Sequence, residues 1–94
     1  MEDNGKRSFS AEVVEKRVVE TIDDQFVGNE VEINRETNFI NDLNADSLDS
    51  VELLMGLEDE FGIDIPSEAI DDLQTVGQTI DYIKDRLAKQ GRLS

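Results

Sequence analysis

Apolar residues recur along this chain at helical spacing, and strand-like alternation is absent. Val14, Val18, Ile22 and Phe26 fall every four residues and predict a helix over about Ser10–Phe26, with Ser10 as its N-cap. Gly28 and Asn29 break that pattern. A long connection over 28–44 follows, in which Ile33, Phe39, Ile40 and Leu43 are expected to anchor the loop on the core. The next helix spans about Ser47–Phe61. Asp46 is its N-cap, Asp49 stands three residues on as in a capping box, and Gly62 ends it. Pro66 and Ser67 open a short turn of helix through Leu73. A last helix runs from about Val76 to Leu87, with Thr75 and Gln78 as a capping box and Ile80, Ile83 and Leu87 as its apolar stripe. The fold class is therefore all-α: a four-helix bundle with a long first loop and a short third helix. The domain division that follows is a flexible polar leader over 1–9 and one domain over 10–94.

The second helix carries two apolar stripes. Ser50, Leu53, Leu54, Leu57 and Phe61 share one arc and read as the core face. Leu48, Val51 and Met55 fall on a roughly opposite arc, beside Glu52, Glu58 and Asp59. A helix in so small a bundle does not need two buried faces. The second stripe is expected to be exposed within a carboxylate rim, as a docking surface is. The bland alternative is that it packs under the long loop.

Charge sharpens this picture. The 94 residues hold 23 acidic and 9 basic side chains, for a formal net charge of -14. Such a balance argues against nucleic acid, whose phosphates need Lys and Arg, and against anionic membranes. Between Glu36 and Ile83 stand 13 acidic residues with no Lys or Arg. The field is concentrated where the second helix lies and suits basic protein partners. No apolar run approaches membrane-spanning length, so stable membrane insertion is not expected. A monomer is expected, in the cytoplasm or, after transit-peptide removal, inside an organelle.

Ser47 opens the second helix, where backbone N–H groups and the helix dipole favour a phosphate. It is not a self-sufficient nucleophile. The chain has no His and no Cys, and a carboxylate such as Asp46 or Asp49 is a weak base for a serine hydroxyl. No catalytic residue and no metal-ligating set is assigned, and a hydrolase is the least favoured class. Residues alone leave Ser47 open between a simple helix-start residue and a site that another enzyme modifies.

A resemblance bears on that choice. Asp42-Leu43-Asn44-Ala45-Asp46-Ser47-Leu48-Asp49-Ser50-Val51-Glu52-Leu53 resembles the phosphopantetheine attachment motif of acyl carrier proteins. Glu58-Asp59-Glu60-Phe61-Gly62-Ile63-Asp64-Ile65-Pro66, and Thr75-Val76 leading to Ile80-Asp81-Tyr82-Ile83, look like the same family. The likeness covers roughly residues 10–88. It implies a carrier, not an enzyme, with a covalent 4'-phosphopantetheine arm on Ser47. A phosphopantetheinyl transferase (holo-ACP synthase) would add that arm. Growing acyl chains would be held as thioesters on its thiol and shuttled between fatty-acid synthesis enzymes and acyltransferases with basic patches. The resemblance implies docking through Asp46, Leu48, Asp49, Val51, Glu52, Met55, Glu58 and Asp59. It also implies an acyl pocket between the second and third helices, for which Leu53, Leu57, Phe61, Ile65, Ile70 and Leu73 are the candidate lining. Two residues depart from the family: Asn44 stands where Gly is frequent, and Ile70 where a small residue is. Ile70 is expected to narrow the pocket.

Three rivals are weighed against this reading. Asp42-x-Asn44-x-Asp46 begins like a calcium loop, but Ser47 replaces the sixth-position Gly and Leu53 the twelfth-position Glu. A carrier of aminoacyl or peptidyl groups would share the fold and Ser47, and the acidity and the Glu58–Phe61 segment favour the fatty-acid type. A pure interaction module would carry no arm.

Overall fold

The computed structural model describes residues 8–26 and 32–94. The leader's residues 1–7 and the helix breakers Gly28 and Asn29 lie outside these. Three α-helices, α1 (Ala11–Gln25), α2 (Ser47–Phe61) and α3 (Val76–Lys89), surround one core, and a short 3-10 helix (Ser67–Asp72) bridges α2 and α3. α1 packs against both α2 and α3.

Local chemistry explains each boundary. The Ser10 hydroxyl accepts the Val13 N–H at 3.2 Å and starts α1. Asp46 and Asp49 cap α2 reciprocally: Asp46 accepts the Asp49 N–H at 2.9 Å, and Asp49 accepts the Asp46 N–H at 3.2 Å. Asp thus serves at the third position, where Glu is usual. Gly62 leaves α2 in the left-handed region at φ 64°, donating to the Glu58 carbonyl at 2.8 Å. At α3 the Thr75 and Gln78 box forms as its spacing predicts. The long loop completes the start of α3, because Val76 N–H donates to the Thr37 carbonyl and Gly77 N–H to the Arg35 carbonyl. Donors that a helix N-terminus leaves orphaned are met by loop backbone.

Gly77 makes that seam possible. A Cβ there would lie 2.9 Å from the Arg35 carbonyl oxygen and 3.2 Å from the Arg35 Cβ. Gly→Ala inside a helix ordinarily stabilises by up to about 1 kcal/mol. At Gly77 the sign should reverse, and Gly77→Ala should cost about 1–3 kcal/mol by overpacking a backbone contact. Urea midpoints of the two proteins test this, and a stabilised Gly77→Ala would show that the loop yields freely.

The core is built from Val14, Val18 and Ile22 of α1, Leu53, Leu57 and Phe61 of α2, and Ile80, Ile83 and Leu87 of α3, all at most 1% exposed. Phe39 and Leu43 anchor the long loop in it, and Ile33 is partly buried against it. Ile40, grouped with these anchors by sequence, is instead 59% exposed. Phe9 also differs from its placement in the polar leader. It is buried, and its ring meets Phe61 edge-on at 5.0 Å. Its N–H donates to the Arg92 carbonyl, and its own carbonyl accepts the Ser94 N–H. Arg92 is buried as well. Its guanidinium donates to the carbonyls of Phe61 at 2.5 Å and Gly62 at 3.0 Å, placing a cation where the α2 dipole is negative. The segments flanking α1 and α3 therefore close together on the C-terminal end of α2.

Outside the core, an ionic cluster links α1, the loop and α3. Arg35 grips both carboxylate oxygens of Asp81 at 2.9 and 3.0 Å, and Lys84 donates to Glu15 at 2.8 Å. The Lys84 hydrogen bond and charge, helped by Arg35, hold the Glu15 carboxyl below its usual 4.5. A depressed carboxylate contributes stability above its unfolded pKa and loses it as pH falls through the folded value. Glu15→Gln should therefore be less stable than the native protein near neutral pH, with the difference vanishing in acid. Urea midpoints across pH read this directly, and a pH-independent difference would exclude the ion pair as its source.

Candidate functional site

The site is built around the first residue of α2. Asn44 precedes it in the left-handed conformation, at φ 57°. That region is costly for most side chains and open to Gly and Asn, so the departure at Asn44 preserves the backbone path that Gly would allow. Ala45 is buried and its N–H donates to the Phe39 carbonyl at 2.8 Å. With Asp46 as cap, these contacts bring the chain into α2 with Ser47 exposed at its positive end. The carboxylates of Asp46 and Asp49 are committed to the capping box. They hold the helix start in shape, and neither is committed to Ser47 as a base.

Beside Ser47 opens a cavity of about 500 Å³. Its walls come from three elements. The long loop supplies Phe39, Ile40 and Ala45, α2 supplies Ser50 and Val51, and the 3-10 helix and its exit supply Ile70 and Leu73. Asp46, Ser47, Ser50, Asp71 and Gln74 add polar groups beside the apolar ones. A second cavity, of about 210 Å³, lies between α2 and the 3-10 helix and is lined by Leu54, Met55, Glu58 and Ile65 among others. Val51 and Ile70 line both cavities and stand between them.

The expected pocket residues divide accordingly. Ile70 and Leu73 line the cavity at Ser47, and Ile65 lines the smaller one. Leu53, Leu57 and Phe61 line neither cavity and are buried in the core. Their spacing could not place the cavity, because its wall on α2 runs along the border between the core stripe, with Ser50 and Leu54, and the exposed stripe, with Val51 and Met55. The loop wall was missed, because contacts between Phe39, Ala45 and α2 are set by tertiary folding.

The second stripe of α2 is exposed as its periodicity predicts: Leu48 is 63% exposed, Met55 58% and Val51 38%. It does not pack under the long loop. Glu52 and Asp59 beside it are exposed. Glu58 is half-buried and accepts the Ile65 N–H at 2.6 Å, so it ties the segment after α2 back to the helix. Basic residues from outside the 36–83 stretch neutralise part of the acidic field, Arg17 pairing with Glu60 and Arg35 with Asp81. Both pairs involve the α1 or loop side, which leaves the carboxylates around Leu48 and Met55 as the concentrated negative patch.

An exposed hydroxyl at the positive end of a helix suits a phosphodiester, and an adjacent apolar cavity suits whatever chain the phosphodiester carries. Comparison with known families agrees with that geometry. The model of the phosphopantetheine attachment site matches residues 16–83, most of the chain. Domains of this family carry a covalent 4'-phosphopantetheine, are served by phosphopantetheinyl transferases and partner enzymes, and are carriers without catalysis of their own. With a helical bundle, a serine at the start of α2 and a cavity beside it, the chain belongs to the phosphopantetheine attachment site family.

Proposed function

We propose that the chain is an acyl carrier of fatty-acid synthesis, with its arm attached through the hydroxyl of Ser47. The observation that carries this reading is the juxtaposition of that exposed serine with a largely aliphatic cavity. Phe39, Val51, Ile70 and Leu73 offer an acyl chain apolar surface, and an aminoacyl group would gain less from it. When bound, the arm supplies the thiol that this Cys-free chain lacks. The protein's own residues orient the attachment point through the Asp46–Asp49 cap and shelter the cargo in the cavity. Incubation with coenzyme A, or with acyl- and aminoacyl-coenzyme A, and a broad-specificity transferase tests the reading by intact mass. One phosphopantetheine is expected on the peptide containing Ser47, with greater thermal stabilisation by acyl than by aminoacyl cargo. Absence of any gain on folded protein would leave an acidic interaction module as the better description.

Leu48, Val51 and Met55 are the apolar centre of the surface through which such a carrier would meet basic partners, with Glu52 and Asp59 on its rim. Glu52→Lys should still be loaded but should weaken association with the transferase by about tenfold at low salt, mainly through the association rate. The difference should shrink at high salt as screening removes it. A loss that salt does not alter would point to a packing defect.

A further inference from the structure

Met55 is one of two methionines in a chain without cysteine, and the other is Met1. Its side chain stands 58% exposed on α2. Its neighbours on the helix surface, three or four positions away, are Val51, Glu52, Glu58 and Asp59. Three of these four are carboxylates, and the sequence from Glu36 to Ile83 offers no Lys or Arg to balance them. Met55 also lines the smaller cavity, of about 210 Å³, with Leu54, Ile65 and Ile70. The side chain is thus open to water, bordered by free space, and set at the apolar centre of an acidic surface.

We propose that Met55 is a reversible oxidation site, at which a neutral hydroperoxide converts the thioether to a sulfoxide and so weakens docking of the carrier to its partners. This inference rests on the docking role given to α2 above and adds a chemistry which that role does not contain. The sulfur lone pair attacks one peroxide oxygen, and an S–O bond forms as the O–O bond breaks. The proton on the transferred oxygen passes to the departing one. Sulfur loses two electrons, and hydrogen peroxide ends as water. Exposure lets the reaction proceed on the folded protein, and the adjoining cavity gives the added oxygen room. A neutral oxidant is favoured because the surrounding carboxylates repel anionic ones. The sulfoxide then sets a strongly polar group between partner and stripe, and an apolar partner contact must strip water from it without returning a hydrogen bond. While cargo is held, the arm's thiol is closed as a thioester, which leaves Met55 as the open sulfur on the docking face.

The test uses the unloaded chain, whose only sulfurs are the two methionines. Native protein and Met55→Leu are each treated with hydrogen peroxide or left untreated. The peroxide is removed, and the affinity of every sample for a phosphopantetheinyl transferase is measured at one salt concentration. Peptide mass should place one oxygen on Met55. Treated native protein should bind about tenfold more weakly than untreated. It should melt at the same temperature, and it should regain its affinity once methionine sulfoxide reductases with dithiothreitol remove the oxygen. Treated and untreated Met55→Leu, compared with each other, should bind alike, which takes Met1 out of the comparison. Unchanged affinity of protein oxidised at Met55 would overturn the proposal. So would an equal loss in Met55→Leu, a lowered melting temperature of the oxidised native protein, or a Met55 that oxidises only after unfolding. Untreated protein that neither binds the transferase nor accepts the arm would overturn the carrier reading and this inference with it, whereas binding that oxidation leaves unaltered would overturn this inference alone.

Discussion

Ser47→Ala is expected to lose arm loading completely while changing stability by no more than about 0.5 kcal/mol. Both halves follow from the geometry at the start of α2. The hydroxyl is the atom that would form the phosphodiester, and no second serine takes its place: Ser50 lies one turn further in, half-buried on the cavity wall. The fold does not lean on Ser47, because Asp46 accepts the Asp49 N–H and Asp49 accepts the Asp46 N–H whatever residue stands between. Alanine is also a good residue for an exposed helix position. Intact mass and thermal melting on the same preparation read both quantities. A loaded Ser47→Ala would move the attachment site elsewhere. An unfolded Ser47→Ala would mean that the serine does structural work the capping box does not explain.

Phe61→Ala should have the opposite profile, a loss of about 3–5 kcal/mol, as large aromatic truncations in cores cost. That is a large fraction of the 5–15 kcal/mol by which domains are typically stable. Phe61 is 1% exposed, packed edge-on against Phe9, and part of the one buried hydrophobic cluster. Denaturant unfolding should find the variant's midpoint far below that of the native protein. Ile70→Ala, at the half-buried cavity wall, should cost clearly less. If the two truncations cost the same, Phe61 would be no more deeply packed than the cavity wall at Ile70.

The helices were legible because their signals are local. Ser10, Asp46 with Asp49, and Thr75 with Gln78 cap through residues three positions apart, so spacing alone predicts them. The exposed Leu48–Val51–Met55 stripe was legible for the same reason, since a 3.6-residue period assigns a face without knowledge of the partner. What periodicity cannot do is say which element covers a face. Leu53 and Leu57 were expected at a pocket and sit in the core, while Phe39 and Ala45, which precede α2, build the cavity wall. Phe9 and Arg92 pair across nearly the whole chain, and no local pattern marks either. Gly77 carries a mild signal, a glycine just inside a helix start, yet its reason is the Arg35 carbonyl that reaches it from the loop.

The pairing of Phe9 with Arg92 and Ser94 has a practical consequence for building with this protein. Because Arg92 binds the last carbonyls of α2, both flanking segments reach the bundle at the end of that helix remote from Ser47. A helix of 15 residues separates the two ends by about 22 Å. A reporter or anchor joined after Ser94 would start from the pole opposite Ser47, the proposed attachment point, so carriers tethered there should present their cargo outward, toward enzymes approaching from solution.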